Sequence, residues 1–293
     1  MPDIFITPDD RLQAVFDNSD PGTVIHLSPG VYRQKAVIRT PNLTVIGAGA
    51  EKSRIVFDDY ARKRGSDGFE YITFRSYALA VCADGVTLRD LAVINDAGDP
   101  KTKGQQVALS VIGGDFRMEN CRLSSTQDTL FAGPLPEDLI ERYEGFLPDA
   151  LRRGGDMRQT YRNCRIEGSV DFIFGCASAL FEDCQIHSVF DGRDTGYIAA
   201  PAHDISQKEG FLFRACRLTQ GEGVAPQSVY LARPWRDYGL CSFENCVYGD
   251  HICAAGFDKW GDTHRDRTAR FYESPAITGR VPWINRARED DTL

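Results

Sequence analysis

Residues 161–166 read Tyr161-Arg162-Asn163-Cys164-Arg165-Ile166, and residues 181–186 repeat their pattern as Phe181-Glu182-Asp183-Cys184-Gln185-Ile186. The shared order is apolar, polar, polar, small or Cys, any residue, apolar. Further copies begin at residues 88, 118, 213 and 243. Because the fourth and sixth positions are apolar or thiol, which is a period of two, each copy is predicted to be a short strand with these side chains on one face.

Copies at this spacing indicate a solenoid, in which each unit stacks on a near-copy of itself. Strand-dominated units predict an all-β fold, a parallel β-helix. A β-sandwich would instead require hairpin turns between neighbouring strands, and candidates are sparse: Asp84-Gly85 and Asp191-Gly192. The stacked copies should form an interior ladder of thiols, made of Cys121, Cys164, Cys184 and Cys216, with Cys246 following.

A short helix is predicted ahead of the repeats. Thr7-Pro8-Asp9-Asp10 has the composition of a helix start, with Thr7 as N-cap and acidic residues in the first turn. Leu12, Val15 and Phe16 would share one face of this helix, which should end near residues 18–22. We expect it to cover the N-terminal end of the solenoid, where apolar coil would otherwise be exposed.

Two segments depart from the repeat. The second and third copies are separated by a long loop, residues 133–159, which is rich in Pro and Gly and is expected to bulge out near the site, with one short helix. The last residues, 286–293, are nearly all charged and are predicted to be a flexible tail. We expect residues 1–293 to form a single domain.

Composition excludes several classes of function. The net charge of −8 argues against nucleic acid, and no apolar run approaches the roughly 20 residues that cross a bilayer. The nine cysteines show no metal-site spacing, so we expect reduced thiols, no metal and no cofactor. The N-terminus shows no secretory signal, so a cytoplasmic location is expected. We also expect a monomer.

Two aspartates directly follow consecutive copies of the repeat. Asp128 lies in Ser125-Thr126-Gln127-Asp128-Thr129-Leu130, and Asp171 lies in Gly168-Ser169-Val170-Asp171-Phe172-Ile173-Phe174-Gly175. If the long loop bulges out, both leave neighbouring coils at the same point, about 4.8 Å apart. The alternative is that each binds its own backbone in a turn. Asp171 argues against this because an ionised group in an apolar strand needs a partner, which Arg233 could supply.

Four motifs, in this order, resemble those of the pectinesterase family. They are Gln105-Gln106-Val107-Ala108-Leu109, Gln127-Asp128-Thr129-Leu130, Gly168 to Gly175 and Leu231-Ala232-Arg233-Pro234-Trp235. The resemblance extends over roughly residues 5–284 and implies a single-stranded right-handed parallel β-helix. It also implies an esterase that removes methyl esters from homogalacturonan or methylated oligogalacturonates and releases methanol.

The resemblance assigns a role to each polar residue. Asp171 would be the nucleophile, kept ionised by Arg233, and Asp128 would be the acid and then the base. Gln105 and Gln127 would bind the oxyanion, although Gln106 is an alternative to Gln105. Sugar rings would contact aromatic side chains, namely Phe74, Phe131, Phe174, Tyr230 and Trp235.

The chain departs from the family pattern at Ser110, Ala232 and Phe257, where Arg, Gly and Trp are common. We expect Ser110 and Phe257 to affect substrate preference more than chemistry. Since the long loop starts five residues after Asp128, it is expected to wall the groove and favour short chains.

Two other functions fit the same fold. A galacturonan glycoside hydrolase would also use carboxylates but would create new reducing ends. A non-catalytic carbohydrate-binding β-helix would not need Asp128, Asp171 and Arg233 together. A Ser-His-Asp esterase is disfavoured because no Gly-x-Ser-x-Gly segment occurs.

Overall fold

Three parallel sheets form the computed structural model, which describes residues 3–285. The strands, in chain order, are β1 (Asp3–Ile6), β2 (Val24–Leu27), β3 (Gly30–Tyr32), β4 (Ala36–Ile38), β5 (Thr44–Ile46), β6 (Ser53–Phe57), β7 (Leu79–Val81), β8 (Thr87–Arg89), β9 (Ala92–Asn95), β10 (Leu109–Val111), β11 (Phe116–Glu119), β12 (Arg122–Ser124), β13 (Leu130–Ala132), β14 (Arg158–Arg162), β15 (Arg165–Gly168), β16 (Val170–Gly175), β17 (Ser178–Glu182), β18 (Gln185–Ser188), β19 (Gly196–Pro201), β20 (Phe211–Arg214), β21 (Arg217–Gln220), β22 (Val229–Ala232), β23 (Leu240–Glu244), β24 (Val247–Tyr248) and β25 (Arg270–Ser274).

Seven consecutive coils, from β2 to β22, each contribute one strand to each sheet in turn. The ten-stranded sheet has the order β1-β2-β5-β8-β11-β14-β17-β20-β23-β25, and the seven-stranded sheet has the order β22-β19-β16-β13-β10-β7-β4. The eight-stranded sheet has the order β24-β21-β18-β15-β12-β9-β6-β3. All strand pairs within the three sheets are parallel, as in β14 with β17 or β15 with β18. The predicted parallel β-helix is therefore confirmed.

Helices are short in the described part of the chain. The α-helices are α1 (Leu12–Asn18), α2 (Pro100–Lys103) and α3 (Glu137–Arg142), and 3-10 helices occur at Thr73–Arg75, Asp149–Leu151 and Arg265–Arg267. None of these helices is long and apolar enough to cross a membrane.

The repeat copies form a corner between two sheets, so the prediction that each copy is one strand is wrong. In the copy at residues 161–166, β14 ends at Arg162 and β15 begins at Arg165. Asn163, between them, has a φ of 51°, and the third residue of the other five copies has a φ of 52° to 54°. This left-handed conformation suits Asn and Asp, which occupy five of the six positions. The polar third position therefore marks a turn, which the period of two did not reveal.

The predicted ladder of thiols is confirmed. Cys121, Cys164, Cys184 and Cys216 are buried, and Cys246 is half-buried. The Cys184 Sγ donates to the Tyr161 carbonyl oxygen at 3.3 Å, and the Cys216 Sγ donates to that of Phe181 at 3.3 Å. Each thiol thus bonds to the previous coil. The first position of the copies also stacks, with ring centroids 4.7 Å apart for Tyr161 and Phe181.

The short N-terminal helix is present, but it starts later than predicted. It begins at Leu12, and the residue before it, Arg11, makes no side-chain cap bond. Thr7 does not cap it, because the Thr7 backbone N–H donates to the Asp10 carboxylate at 2.8 Å and closes a separate turn. The helix still covers the end of the coil. The Gln13 side chain accepts from the Val37 N–H at 2.8 Å and donates to the Val37 carbonyl at 3.0 Å, which pairs the free edge of β4.

The long loop between the second and third copies leaves the coil after β13 and returns at Arg158. Residues 158–159 thus belong to β14, and we call residues 133–157 the excursion. It contains α3, as the sequence suggested, and it buries apolar side chains, namely Leu135, Leu139, Leu147, Leu151 and Met157. The predicted flexible tail, residues 286–293, lies outside the described residues.

Candidate active site

Asp171 lies in an irregular part of β16. The register between β16 and β19 shifts between Val170 and Ile173, which is a β-bulge, and Asp171 has a φ of 49°. Phe172 and Ile173 are both fully buried in the core. A Cβ on Gly168 would lie 2.1 Å from the Phe172 Cβ, so only glycine leaves room for this packing. The bulge interrupts the strand alternation at Asp171 and holds its side chain in the site.

Asp128 lies on the adjacent coil, just before β13. Its φ is 63°, and its backbone N–H donates to the Val170 carbonyl at 3.1 Å. Gln127 forms a parallel bridge with Val170, so Gln127-Asp128 lies beside Val170-Asp171. The excursion leaves the coil between them, as the sequence analysis required. The structure therefore brings these two aspartates together from positions 43 residues apart.

Arg233 holds Asp171 through two hydrogen bonds. The Arg233 Nε donates to Asp171 Oδ1 at 2.8 Å, and Nη2 donates to Oδ2 at 2.6 Å. The guanidinium lies against two aromatic rings, with its carbon 3.8 Å from the centroid of Tyr197 and 4.0 Å from that of Trp260. This contact restricts the guanidinium to one orientation and so fixes the carboxylate.

The two carboxyl groups differ in their electrostatic surroundings. Burial raises the pKa of Asp128 well above its usual range, and the neighbouring Asp171 charge raises it further. Burial also raises the pKa of Asp171, but the hydrogen bonds and charge of Arg233 oppose this effect. The net pKa of Asp171 is raised, because burial outweighs the lowering by Arg233 on which its predicted ionisation rests. The surroundings favour the proton on Asp128 and the negative charge on Asp171.

Gln127 is oriented by a residue that the sequence analysis missed. Arg193 donates from Nη1 to the Gln127 Oε1 at 3.0 Å, while its Nε donates to the Asp191 carboxylate at 2.9 Å. With its oxygen engaged, Gln127 presents its amide N–H groups to the site. The Asp191-Gly192 pair was considered only as a hairpin turn, and no motif around Arg193 pointed to this contact.

Gln105 and Gln106 face different environments. Gln106 is fully buried, and its Nε2 donates to the Gly98 carbonyl at 2.8 Å. Its backbone N–H donates to the Gln127 carbonyl at 3.1 Å, which places this segment beside Gln127-Asp128. Gln105 is half-buried. The alternative that Gln106 is the site residue is disfavoured, because its side chain is used inside the coil.

Four of the five predicted aromatic residues form a row near the aspartates. Ring centroids are 5.2 Å apart for Phe74 and Phe131, 5.0 Å for Phe131 and Phe174, and 5.8 Å for Phe174 and Trp235. The first three side chains are buried, whereas Trp235 is half-buried. Tyr230, also half-buried, instead stacks on Tyr197 at 5.4 Å. Their contact with a sugar stays a prediction, and Trp235 and Tyr230 offer the most accessible faces.

Two further residues need reassignment. Phe257, expected to affect substrate preference, is buried in the core, where its ring lies 5.4 Å from that of Phe271. Trp260, three residues later, contacts Arg233 instead. Tyr197 was missed as well. The available signal for Trp260 was its place three residues after Phe257, where the family pattern commonly has Trp, but its contact with Arg233 requires two distant loops to meet.

Comparisons with known proteins point to one family. A family model described as Pectinesterase matches residues 4–134 and 149–285. Pectinesterase QRT1 of Arabidopsis thaliana is 30% identical over 98% of this chain and 71% of its own length. Pectinesterase 31 of the same plant is 30% identical over 92% of this chain and 80% of its own length.

Solved structures share the fold. The pectin methylesterase from carrot has a TM-score of 0.79 and 24% identity, covering 98% of this chain and 89% of that chain. Pectin methylesterase PemA from Erwinia chrysanthemi has a TM-score of 0.75 and 23% identity, covering 94% and 91%. The common architecture is the right-handed parallel β-helix.

Proposed function

The chain belongs to the pectinesterase family and is a carboxylic ester hydrolase, and we propose that Asp171 and Asp128 perform its reaction, the removal of methyl esters from galacturonan. The observation that carries this proposal is the asymmetry of the pair. Arg233 binds both oxygens of Asp171, whereas the pKa of Asp128 is raised by burial and by the adjacent charge. One carboxyl group is thereby suited to attack and the other to donate a proton.

In the first half of the reaction, an oxygen of Asp171 attacks the carbonyl carbon of the methyl ester. The carbonyl oxygen becomes an oxyanion, which accepts hydrogen bonds from the amide groups of Gln127 and Gln105. When the intermediate collapses, the bond to the methoxy oxygen breaks and Asp128 gives its proton to the departing methanol. The galacturonyl group remains on Asp171 as an acyl-enzyme.

The second half reverses the role of Asp128. Now ionised, it takes a proton from a water molecule as that water attacks the acyl carbon. The bond to Asp171 breaks, so the products are a galacturonate carboxyl group and the free Asp171 carboxylate. Asp128 is protonated again, and one ester and one water have become one acid and one methanol.

The test is a product assay on methyl-esterified pectin. We expect wild type to release methanol without new reducing ends and Asp171→Ala to release almost none. New reducing ends would instead support the glycoside hydrolase. Comparable methanol release by Asp171→Ala would remove the nucleophile assignment.

A further inference from the structure

The seven-stranded sheet carries a row of side chains that leads away from the catalytic pair. Phe174, Phe131, Ser110, Ala80 and Val37 are neighbours in register across β16, β13, β10, β7 and β4, so they share one face. The Phe131 and Phe174 rings contact Phe74 and Trp235, which lie outside these strands, so this face points out of the coil. In an open groove, such a row would be the floor.

This floor is covered on the side of the N-terminal coils. The exposed fraction is 1% for Phe131, 3% for Ser110, 0% for Ala80 and 7% for Val37. Small side chains on an outer face become this inaccessible only when another segment lies over them. The covering segment therefore lies where a long sugar chain would continue beyond the catalytic pair.

The excursion packs beside this floor, and part of it is not matched by the family model. The insertion, residues 135–148, is the part missing from that match. Its Tyr143 ring lies 5.8 Å from that of Phe74, and its Phe146 ring lies 6.1 Å from that of Phe69. The guanidinium carbon of Arg75 lies 5.0 Å from the Phe146 centroid. These contacts join the insertion to the segment at residues 69–75 as one aromatic wall.

Polar contacts also fix the excursion against the sheet. Arg153, in the returning part of the excursion, donates to the Cys82 carbonyl at 3.0 Å and to the Ile112 carbonyl at 3.3 Å, just after β7 and β10. On the other side, Asp138 accepts from Arg236 Nη2 at 2.9 Å. The Arg236 guanidinium lies 4.8 Å from the Trp235 ring, so the insertion extends from Phe74 to the residue beside Trp235.

Space remains on the side of the C-terminal coils. A cavity of about 300 Å³ is lined there by Ser169, Arg193, Asp194, Gly196, Ser228 and Val229. Arg193 contacts Gln127, so this cavity begins next to the catalytic pair. Asp191 also lines this cavity and holds Arg193, so the lining offers carboxylate and hydroxyl groups, which suit the hydroxyls of a methyl-esterified galacturonate unit.

We propose that the insertion closes the groove on one side, so that the enzyme demethylates short methylated oligogalacturonates and chain ends in preference to the interior of a long polymer. The inference rests on the proposed function. A sugar chain bound at the catalytic pair extends towards the cavity beside Arg193 and stops at the wall formed by Tyr143 and Phe74. An internal unit of a polymer has chain on both sides and meets this wall.

The first test compares substrates with the wild-type enzyme. Methanol release is measured from fully methylated trigalacturonate and from highly methylated polymer, as kcat/KM per ester. We expect a preference for the oligomer of about tenfold or more, which is the effect of losing about 1.4 kcal/mol of binding. Equal or better use of the polymer would overturn the inference and leave the proposed function intact. Methanol from neither substrate would reject the proposed function itself.

The second test opens the wall without removing the buried leucines of the insertion. Tyr143→Ala should lower the preference for the oligomer by raising kcat/KM on the polymer, while Tyr143→Phe should retain the wild-type ratio. Glu144→Ala, an exposed neighbour, is the matched control and should also retain it. A folded Tyr143→Ala with an unchanged ratio would contradict the inference. If that variant does not fold, the comparison of substrates by wild type decides alone.

Discussion

The repeat corner and the catalytic pair share the left-handed backbone conformation but differ in function. Asp183 in the corner has a φ of 53°, and Asp171 in the site has a φ of 49°. Both follow a strand residue and turn the chain. The side chain of Asp183 is exposed to solvent, whereas that of Asp171 is buried. The residue type and the backbone are thus alike, and only the surroundings differ.

The comparison teaches that burial, and not the turn, creates the chemistry. In the corner, polar side chains bond to each other in water, as when Asn163 Nδ2 donates to Asn120 Oδ1 at 2.8 Å. In the site, both carboxyl groups are buried, so Asp171 requires Arg233 and Asp128 favours its protonated form. A coil that tolerates left-handed Asp at many places can convert one pair into a catalytic pair by covering it.

The largest expected effect on kcat comes from removing the carboxylate of the site, and the same change in the corner is its control. Asp171→Asn keeps the size and the left-handed preference of the residue but removes the nucleophile, so we expect kcat to fall by about 10⁴-fold or more, as for other catalytic units. Asp183→Asn makes the same change in the corner. It should leave kcat near that of wild type, and equal losses in both variants would break the distinction. Initial rates of methanol release measure both.

The next effect concerns the residue that precedes each left-handed aspartate. Gln127→Ala removes an amide donor to the oxyanion, and we expect kcat to fall by about 10²- to 10³-fold with little change in KM. Glu182→Ala is the corresponding change before Asp183 and should leave both constants unchanged. An effect of Gln127→Ala on KM alone would show that this side chain binds the substrate in its ground state. Steady-state kinetics on one methylated oligomer separates the two outcomes.

A third prediction concerns stability. The raised pKa of Asp128 means that folding favours its protonated form, so this contribution to stability is present below the ordinary carboxyl pKa and is lost as the pH rises through the folded pKa. Asp128→Asn removes the buried charge, and we expect it to inactivate the enzyme and to raise Tm by a few degrees at neutral pH.

The difference in Tm between Asp128→Asn and wild type should grow as the pH rises from the ordinary carboxyl range. Asp183→Asn, which removes an exposed carboxylate, should follow the wild-type curve more closely. Thermal unfolding followed by circular dichroism at several pH values measures both. A Tm for Asp128→Asn at or below wild type across this range would contradict the assignment of an unfavourable buried charge.

The smallest effect lies in the corner itself. In one of the six copies, the left-handed third position is occupied by Ala215 and not by Asn or Asp, and its φ is 52°. The left-handed conformation costs roughly 1–2 kcal/mol for ordinary residues. Ala215→Asn should therefore stabilise the protein by about 1 kcal/mol, with no change in kcat. Urea unfolding measures this, and a loss of stability would show that other contacts at residue 215 outweigh its φ.

Much of the fold could be predicted because each copy of the repeat is a short pattern of consecutive residues. Stacking six similar units implies the coil, the thiol ladder and the proximity of Asp128 to Asp171, since each follows from register alone. The corner was misread as a strand because the period of two at the fourth and sixth positions was extended to the whole copy, although the buried first and fourth positions are three residues apart. Thr7 was misread as a cap because Asp10 competes for its backbone N–H.

The contacts of the site were likewise predictable only in part. The pairing of Asp171 with Arg233 was expected because an ionised group in an apolar strand needs a partner. The contacts of Arg193 with Gln127, and of Trp260 and Tyr197 with Arg233, join loops that no local pattern connects. Burial of the aromatic row under the insertion likewise depends on how a long loop packs.

Local order along the chain thus accounts for which residues stack and which two acids become neighbours, because a coil repeats every interaction between adjacent rungs. It does not account for how deeply those acids are covered, which cations orient them, or where the groove ends. Those features arise from segments far apart in the chain that exclude water together. Solvation at a point in a protein depends on everything packed around it, and neighbours in sequence are only a part of that.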